Sequence, residues 1–122
     1  MAIEFSDNKP IYRQIADYSI GRILTGVWVP GARIPSVREL AVELTVNTHT
    51  VLKAFEYLQA EEIIVPRRGM GFYLADDALE KVGRMRRREF FATTLPALRA
   101  EMELLGISPA ELLAHLEADS PQ

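Results

Sequence analysis

Between residues 36 and 58 the chain reads SVRELAVELTVNTHTVLKAFEYL, and its apolar positions fall into two helical stripes with a break between them. Val37, Leu40, Ala41 and Leu44 recur at steps of three and four, the spacing that puts side chains on one helix face. Thr45-Val46-Asn47 interrupts the pattern. Val51, Ala54, Phe55 and Leu58 then resume it, and a rotation of about 100° per residue sets His49, Leu52, Lys53 and Glu56 on the opposite side. The starts are marked as well. Ser36 stands where an N-cap belongs, with Glu39 three residues on to close a capping box, and Asn47 is a good cap for the second stripe. Two short helices, a tight turn, and a polar outer face on the second predict a helix-turn-helix.

The flanks support that pair. PIYRQIADYSIGRILTGVW, from Pro10 to about Val27, predicts a core helix with proline in its first turn. Ile11, Ile15, Tyr18, Ile23 and Leu24 are its candidate buried side, and Gly26 is placed to end it. Pro30-Gly31 signals a turn, and Pro35 imposes an extended approach to the Ser36 cap. After Gln59–Glu62 close the third helix, Ile63-Ile64-Val65 is short and β-branched, as strands are. Arg67-Arg68-Gly69-Met70-Gly71 follows as a turn and Phe72-Tyr73-Leu74 as a returning strand, which predicts a hairpin. A hairpin directly after a recognition helix is a wing. Ahead of all this, Ile3 and Phe5 alternate with charged neighbours, as in a brief strand or an arm.

The tail begins at Asp76-Asp77, where Asp77 can cap a helix with Glu80 in the capping-box position. Leu79, Val82, Met85 and Phe90 form one apolar set. Then the register changes: Phe91, Leu95, Leu98, Met102 and Leu105 follow the a/d spacing of a helix seeking a partner helix. Two registers predict two contacts, the first half on its own wing domain and the second on another subunit. Pro96 should kink or restart this helix. Gly106 ends it, and Ile107-Ser108-Pro109-Ala110-Glu111-Leu112 then has each element of a helix start, with Ile107 and Leu112 as its staple. Leu112, Leu113 and Leu116 are the expected buried side. A helical hairpin of this size cannot bury both apolar faces alone, so pairing with a second copy is expected, through Phe91, Leu95, Leu98, Met102, Leu105, Leu112 and Leu116.

Composition narrows the class. At 122 residues, 48% hydrophobic and 25% charged, the chain has the length of one ordinary domain or a small domain with an appendage. The absence of cysteine excludes disulfides and thiolate metal sites. No apolar run approaches the roughly 20 residues of a membrane helix, and the N-terminus lacks the form of a signal peptide, so a cytoplasmic location is expected. The net charge of −3 argues mildly against nucleic acid. Residues 1–75, however, hold eight basic and eight acidic side chains, and the excess acidity lies in residues 76–122. Any DNA affinity must come from a local basic patch on the first part, and two copies would double the footprint.

Catalytic signals are missing: no phosphate loop, no paired carboxylates in a convincing cleft, and no nucleophile–base pair by spacing. His49 has no second histidine nearby and no cysteine, so it reads as neither metal ligand nor base, and His115 reads as a surface or interface residue. No enzyme activity, metal or cofactor is expected.

The run from Pro10 to Ala75 resembles the DNA-binding head of the GntR family of bacterial transcription regulators, most specifically in PGARIPSVRELA and RRGMGFYLA. VNTHTVLKAFEYL and the short tail resemble the YtrA-type subfamily, whose tail is two helices. Neither the large effector domain of most GntR members nor the aminotransferase-like domain of the MocR type would fit in residues 76–122. The resemblance implies a mainly α fold with a small β-hairpin wing: a winged helix-turn-helix over 1–75 and a helical dimerisation tail over 76–122.

It also implies where DNA would be touched. Arg38 occupies the arginine of the family's S-x-R pattern, against the plainer alternative of a salt bridge with Glu39 or Glu43; Ser36 is a cap first and a phosphate contact second. Asn47, Thr48, His49 and Thr50 lie at a helix N-terminus, where free amides suit phosphate and polar side chains reach base edges. Much of the family has arginines near positions 48 and 52, where this chain has Thr48 and Leu52. Leu52 either meets a thymine methyl or packs against the preceding helix or the wing. Lys53 is either a phosphate neutraliser or a solvated charge. Arg67, Arg68 and Gly69 resemble the family's minor-groove tip, with Arg68 the stronger candidate. Arg86-Arg87-Arg88 reads as a solvated helix face or an accessory backbone contact.

The reading is a homodimeric DNA-binding transcription regulator, a repressor or activator, on a palindromic operator. The rival is a winged-helix interaction module without DNA binding, which the absent arginines and the neutral head favour. The tail is too small to enclose a pocket of a few hundred cubic ångströms, so a small-molecule effector would sit between subunits or near Asp76.

Overall fold

Helix α1 spans Ile11–Leu24, with Pro10 at its N-cap. In the computed structural model, which describes residues 5, 6 and 8–118, Phe5 lies outside any strand and Ile3 falls outside the described residues. Gly26, at φ +81°, closes α1 as Val27 N–H donates to Arg22 C=O at 2.9 Å, a left-handed C-terminal cap. The helix therefore stops three residues before Val27. Its buried side is Ile15, Ala16, Ser19, Ile20 and Ile23. Ile11 and Leu24 stay about half exposed and Tyr18 is half-buried, which corrects three of the five expected core positions. Steps of four carry the row 15–19–23 inward regardless of residue size, and Ser19 fits because its hydroxyl donates to Ile15 C=O at 2.9 Å.

Helices α2, Val37–Leu44, and α3, Thr48–Ala60, follow the predicted stripes. Leu40, Ala41 and Leu44 are buried on one, and Val51, Ala54, Phe55 and Leu58 on the other. The turn between them hinges on Thr45, whose backbone is left-handed at φ 58°, ψ 51°. That conformation lets Val46 N–H reach Ala41 C=O at 3.0 Å, but it is strained for a β-branched residue. Left-handed backbone costs about 1–2 kcal/mol against glycine's extra chain entropy of roughly 0.5–1. Thr45→Gly is therefore expected to raise stability by up to about 1 kcal/mol, read as a higher melting temperature; an unchanged or lower one would contradict the strain.

The wing is β1, Ile64–Arg67, and β2, Gly71–Leu74, antiparallel with Ile64 opposite Leu74 and Arg67 opposite Gly71. Arg67 and Gly71 thus belong to strands, and the turn is only Arg68-Gly69-Met70. Gly69 at φ +73° and the Met70 N–H to Arg67 C=O bond of 2.8 Å complete the reversal in three residues. The other edge of β2 is covered by the extended chain before α2: Gly31 N–H donates to Leu74 C=O, Leu74 N–H to Ala32 C=O, and Ile34 N–H to Phe72 C=O. The core joins helices to wing, with the Phe55 and Phe72 rings edge-on at 5.1 Å and Trp28, Ile34, Ile63, Ile64 and Leu74 buried.

The chain forms two compact units, Met1–Arg84 and Met85–Gln122. Helix α4, Ala78–Glu89, begins directly after Asp77. Ala78, Val82 and Met85 are buried, whereas Leu79 and Phe90 are exposed. The buried line runs i, i+4, i+7, so Val82 and Met85 agree with the expected set, whereas Leu79 is one position off and Phe90 lies outside it. A π-helical turn, Phe90–Thr94, links α4 to α5, Leu95–Leu105. Pro96 lies in the first turn of α5; it has no N–H to donate, and its ring crowds the carbonyl four residues back, which a widened turn relieves. The extra residue in that turn is the physical source of the register change.

Gly106 ends α5 at φ 69°. Helix α6, Pro109–Ala118, starts with Ser108 Oγ accepting from Glu111 N–H at 3.1 Å. Neither α5 nor α6 has a fully buried residue. Leu112 is half-buried, but Leu113 and Leu116 are exposed, so a single copy does not cover the expected buried side. Leu95, Leu98, Met102, Leu112 and Leu116 line an open groove of about 360 Å³. No helix among the described residues is long and apolar enough to cross a membrane.

Candidate nucleic-acid interface

The start of α2 is set by a reciprocal pair: Ser36 Oγ accepts from Glu39 N–H at 3.0 Å, and Ser36 N–H donates to Glu39 Oε1 at 2.8 Å. These bonds hold the Glu39 carboxyl below its ordinary value of 4.5, the Ser36 backbone N–H contributing most and the Arg33 charge least. Ser36 is thus a cap, as expected. A carboxyl with a depressed folded-state pKa stabilises above its unfolded pKa, and that contribution is lost as pH falls through the folded value. Glu39→Gln should therefore reduce the loss of melting temperature below about pH 4.5 relative to wild type, checked by melts across that range. Ser36→Ala is expected to cost about 1 kcal/mol at neutral pH.

At the start of α3, Asn47 Oδ1 accepts from His49 N–H at 2.7 Å, while Thr50 and Val51 N–H donate to Asn47 C=O. The expectation of several free amides is corrected: three are taken, and Thr48 N–H is the first-turn amide outside these bonds. Asn47, Thr48 and His49 are exposed and Thr50 half-buried. Arg38, Asn47 and Thr48 border one open depression, floored by Ala41, Val42 and Val46. Leu52 is 41% exposed, on the outer side of α3 with Lys53 and Glu56.

Electrostatics separates the cations. Lys9 pairs with Asp17 at 2.8 Å and Lys81 with Glu62 at 3.0 Å. Arg22 donates to Tyr18 Oη, which donates to Glu43 Oε2 at 2.8 Å; burial first, then Glu43, raises the Tyr18 pKa. Glu39 and Glu43, the two partners open to Arg38 by spacing, are thus engaged elsewhere. Among the described residues Arg33, Arg38 and Arg68 have no ion pair. A head with no net charge in residues 1–75 can therefore carry local positive potential.

Lys53 is exposed, and its Nζ lies over the Tyr12 ring at 4.6 Å, a contact that neither reading of it included. Tyr12 meets Tyr57 edge-on at 6.4 Å, and Arg13 sits over Tyr57 at 4.5 Å. This α1–α3 cluster was missed, since its members are far apart in sequence. In the wing, Arg67 lies over the Tyr73 ring at 4.1 Å, while Arg68 and Gly69 are exposed at the tip. Arg33, also missed, donates from Nε to Met70 C=O at 3.1 Å. No cluster of three or more His, Asp or Glu able to hold a metal occurs among the described residues.

The profile described as bacterial regulatory proteins, gntR family, matches residues 11–74. The HTH-type transcriptional regulator YhcF of Bacillus subtilis (strain 168) is 33% identical over 110 residues, covering 90% of this chain and 89% of that protein. The HTH-type transcriptional repressor YtrA of the same organism is 41% identical over 76 residues, covering 62% of this chain and 58% of that protein. A GntR family transcriptional regulator from Listeria monocytogenes superposes with a TM-score of 0.76 at 34% identity, over 95% of this chain and all of that one (100%). The DNA-binding domain of AraR in complex with operator ORR3 superposes with a TM-score of 0.53 at 28% identity, over 62% of this chain and 88% of that one. The chain belongs to the gntR family of bacterial regulatory proteins, as a DNA-binding transcriptional regulator of the YtrA type.

Proposed function

We propose that this protein is a cytoplasmic, homodimeric repressor that binds a palindromic operator, with residues 1–75 as the reading head and 76–122 as the dimerisation tail. Helix α3 lies in the major groove and the wing tip in an adjacent minor groove. Two-fold symmetry then sets the half-sites about one helical turn, roughly 34 Å, apart. The observation that carries the reading is that, among the described residues, Arg38 and Arg68 have no ion pair while Arg22, Lys9 and Lys81 are paired. The operator complex of the AraR DNA-binding domain and the likeness to the B. subtilis transcriptional repressor YtrA support it.

Within the head, Thr48, His49 and Thr50 face bases or phosphates, Thr48 N–H takes a phosphate, and Leu52 packs on a thymine methyl. Phe91, Leu98, Leu105 and Leu116, all exposed in one copy, meet their counterparts in a second. A gel shift with the duplex upstream of the protein's own gene should give a retarded band that unrelated duplex does not compete away. Equal competition by both would favour the rival interaction module, for which Thr48 and Leu52, in place of arginines, are the motivating residues.

A further inference from the structure

Arg33 belongs to neither the helix-turn-helix nor the hairpin, yet the structure builds it into the wing. Its segment pairs antiparallel with β2, Arg33 opposite Tyr73, and backbone bonds on both sides fix that pairing. Paired residues project from the same sheet face. Tyr73 is also opposite Val65, and Arg67 lies two residues beyond Val65, so the period of two puts Arg33, Tyr73 and Arg67 on one face of the wing. The Arg67 guanidinium covers the Tyr73 ring. Arg33 spends its Nε–H on the carbonyl of Met70, in the tip turn.

Gly71 makes room for this. A Cβ there would lie 3.3 Å from Arg33 Nε, and its φ of +91° already favours glycine. A guanidinium has five N–H groups in a planar fork, so one bond to Met70 leaves the terminal amino groups. Arg33 has no ion pair among the described residues and is exposed.

Resting on the DNA-binding reading above, we propose that Arg33 is a further DNA-contact residue, a third wing arginine. Its Nε holds the hairpin tip in place, and its terminal amino groups, beside Arg67, take a backbone phosphate flanking the groove that Arg68 enters. Fixing the tip in the free protein removes an ordering cost from binding, and the planar fork suits a phosphate.

Three substitutions separate the two halves. Arg33→Gln keeps an N–H for Met70 but loses the charge; Arg33→Lys keeps the charge but loses the fork; Arg33→Ala loses both. With the full-length dimer and its upstream duplex, Arg33→Ala should bind about tenfold more weakly and lower the salt slope by about one. Arg33→Gln should lower the slope while amide exchange at Met70 and Gly71 stays slow; Arg33→Lys should keep the slope while those amides exchange faster. Circular dichroism confirms folding, expected because the side chain is exposed. A wild type that binds, with an alanine variant that binds equally at the same slope, overturns the Arg33 assignment alone. A wild type that ignores duplex DNA overturns the underlying reading and this one with it.

Discussion

The double substitution Leu105→Asp, Leu116→Asp is expected to give a monomer at micromolar concentration that binds full-length operator about a hundredfold or more weakly than wild type. Both leucines are more than two-thirds exposed in the single chain, 68% and 69%, so their loss removes little packing within one copy. Leu98, Leu104 and Leu113 are exposed on the same helical hairpin, an apolar surface that a lone soluble chain rarely leaves open. Burying one leucine contributes about 1.5–3 kcal/mol, and two-fold symmetry doubles each loss. Four buried leucines becoming four carboxylates thus lowers the association constant by several powers of ten. DNA affinity falls because the second head no longer binds at the high effective concentration that linkage gives. Sedimentation equilibrium reads the first effect and fluorescence anisotropy the second. A variant that sediments as a dimer would end the proposed tail interface. Equal half-site affinity for variant and wild type would show that the heads are intact.

The helix-turn-helix was legible because its signals are local. Ser36 and Asn47 cap through bonds spanning two or three residues, and Leu40, Leu44, Phe55 and Leu58 are large residues at helical steps. Gly106 and Ser108 were legible for the same reason. Helix α1 was harder: Ile11, Tyr18 and Leu24 were expected inside, whereas Ala16, Ser19 and Ile20 are the buried positions beside Ile15 and Ile23. The third edge of the wing was invisible because PGARIP carries turn signals. Its pairing is made with Leu74 and Phe72, about forty residues away, and no local pattern encodes that.

The site was half legible. The family resemblance pointed to Arg38 and Arg68, but spacing left Arg38 within helical reach of two acids. What releases it is tertiary and capping structure: Glu39 is held by Ser36 and Glu43 by Tyr18. Lys53 was assigned from its helix face, while its partner, Tyr12, sits on another helix. Charge counted along the chain predicted a neutral head; which charges are spent on one another depends on the fold.

Arg38→Ala should weaken operator binding by about 1–3 kcal/mol, roughly five- to 150-fold, and lower the slope of log affinity against log salt by about one. The melting temperature should stay close to wild type, because Arg38 is exposed and has no ion pair among the described residues. Arg22→Ala is the matched control: it removes a cation bonded to Tyr18 and close to Glu43, so stability should fall while the salt slope holds. Arg68→Ala should also weaken binding, but selectively. A tip arginine in a minor groove senses width and A·T content, so its loss should flatten discrimination at the flanking positions and leave the α3-read positions unchanged. Titrations of operator variants at two salt concentrations resolve these outcomes. Identical losses at all positions from both variants would mean that the two arginines act only as phosphate neutralisers. No loss from either would remove the DNA-facing assignment of this surface.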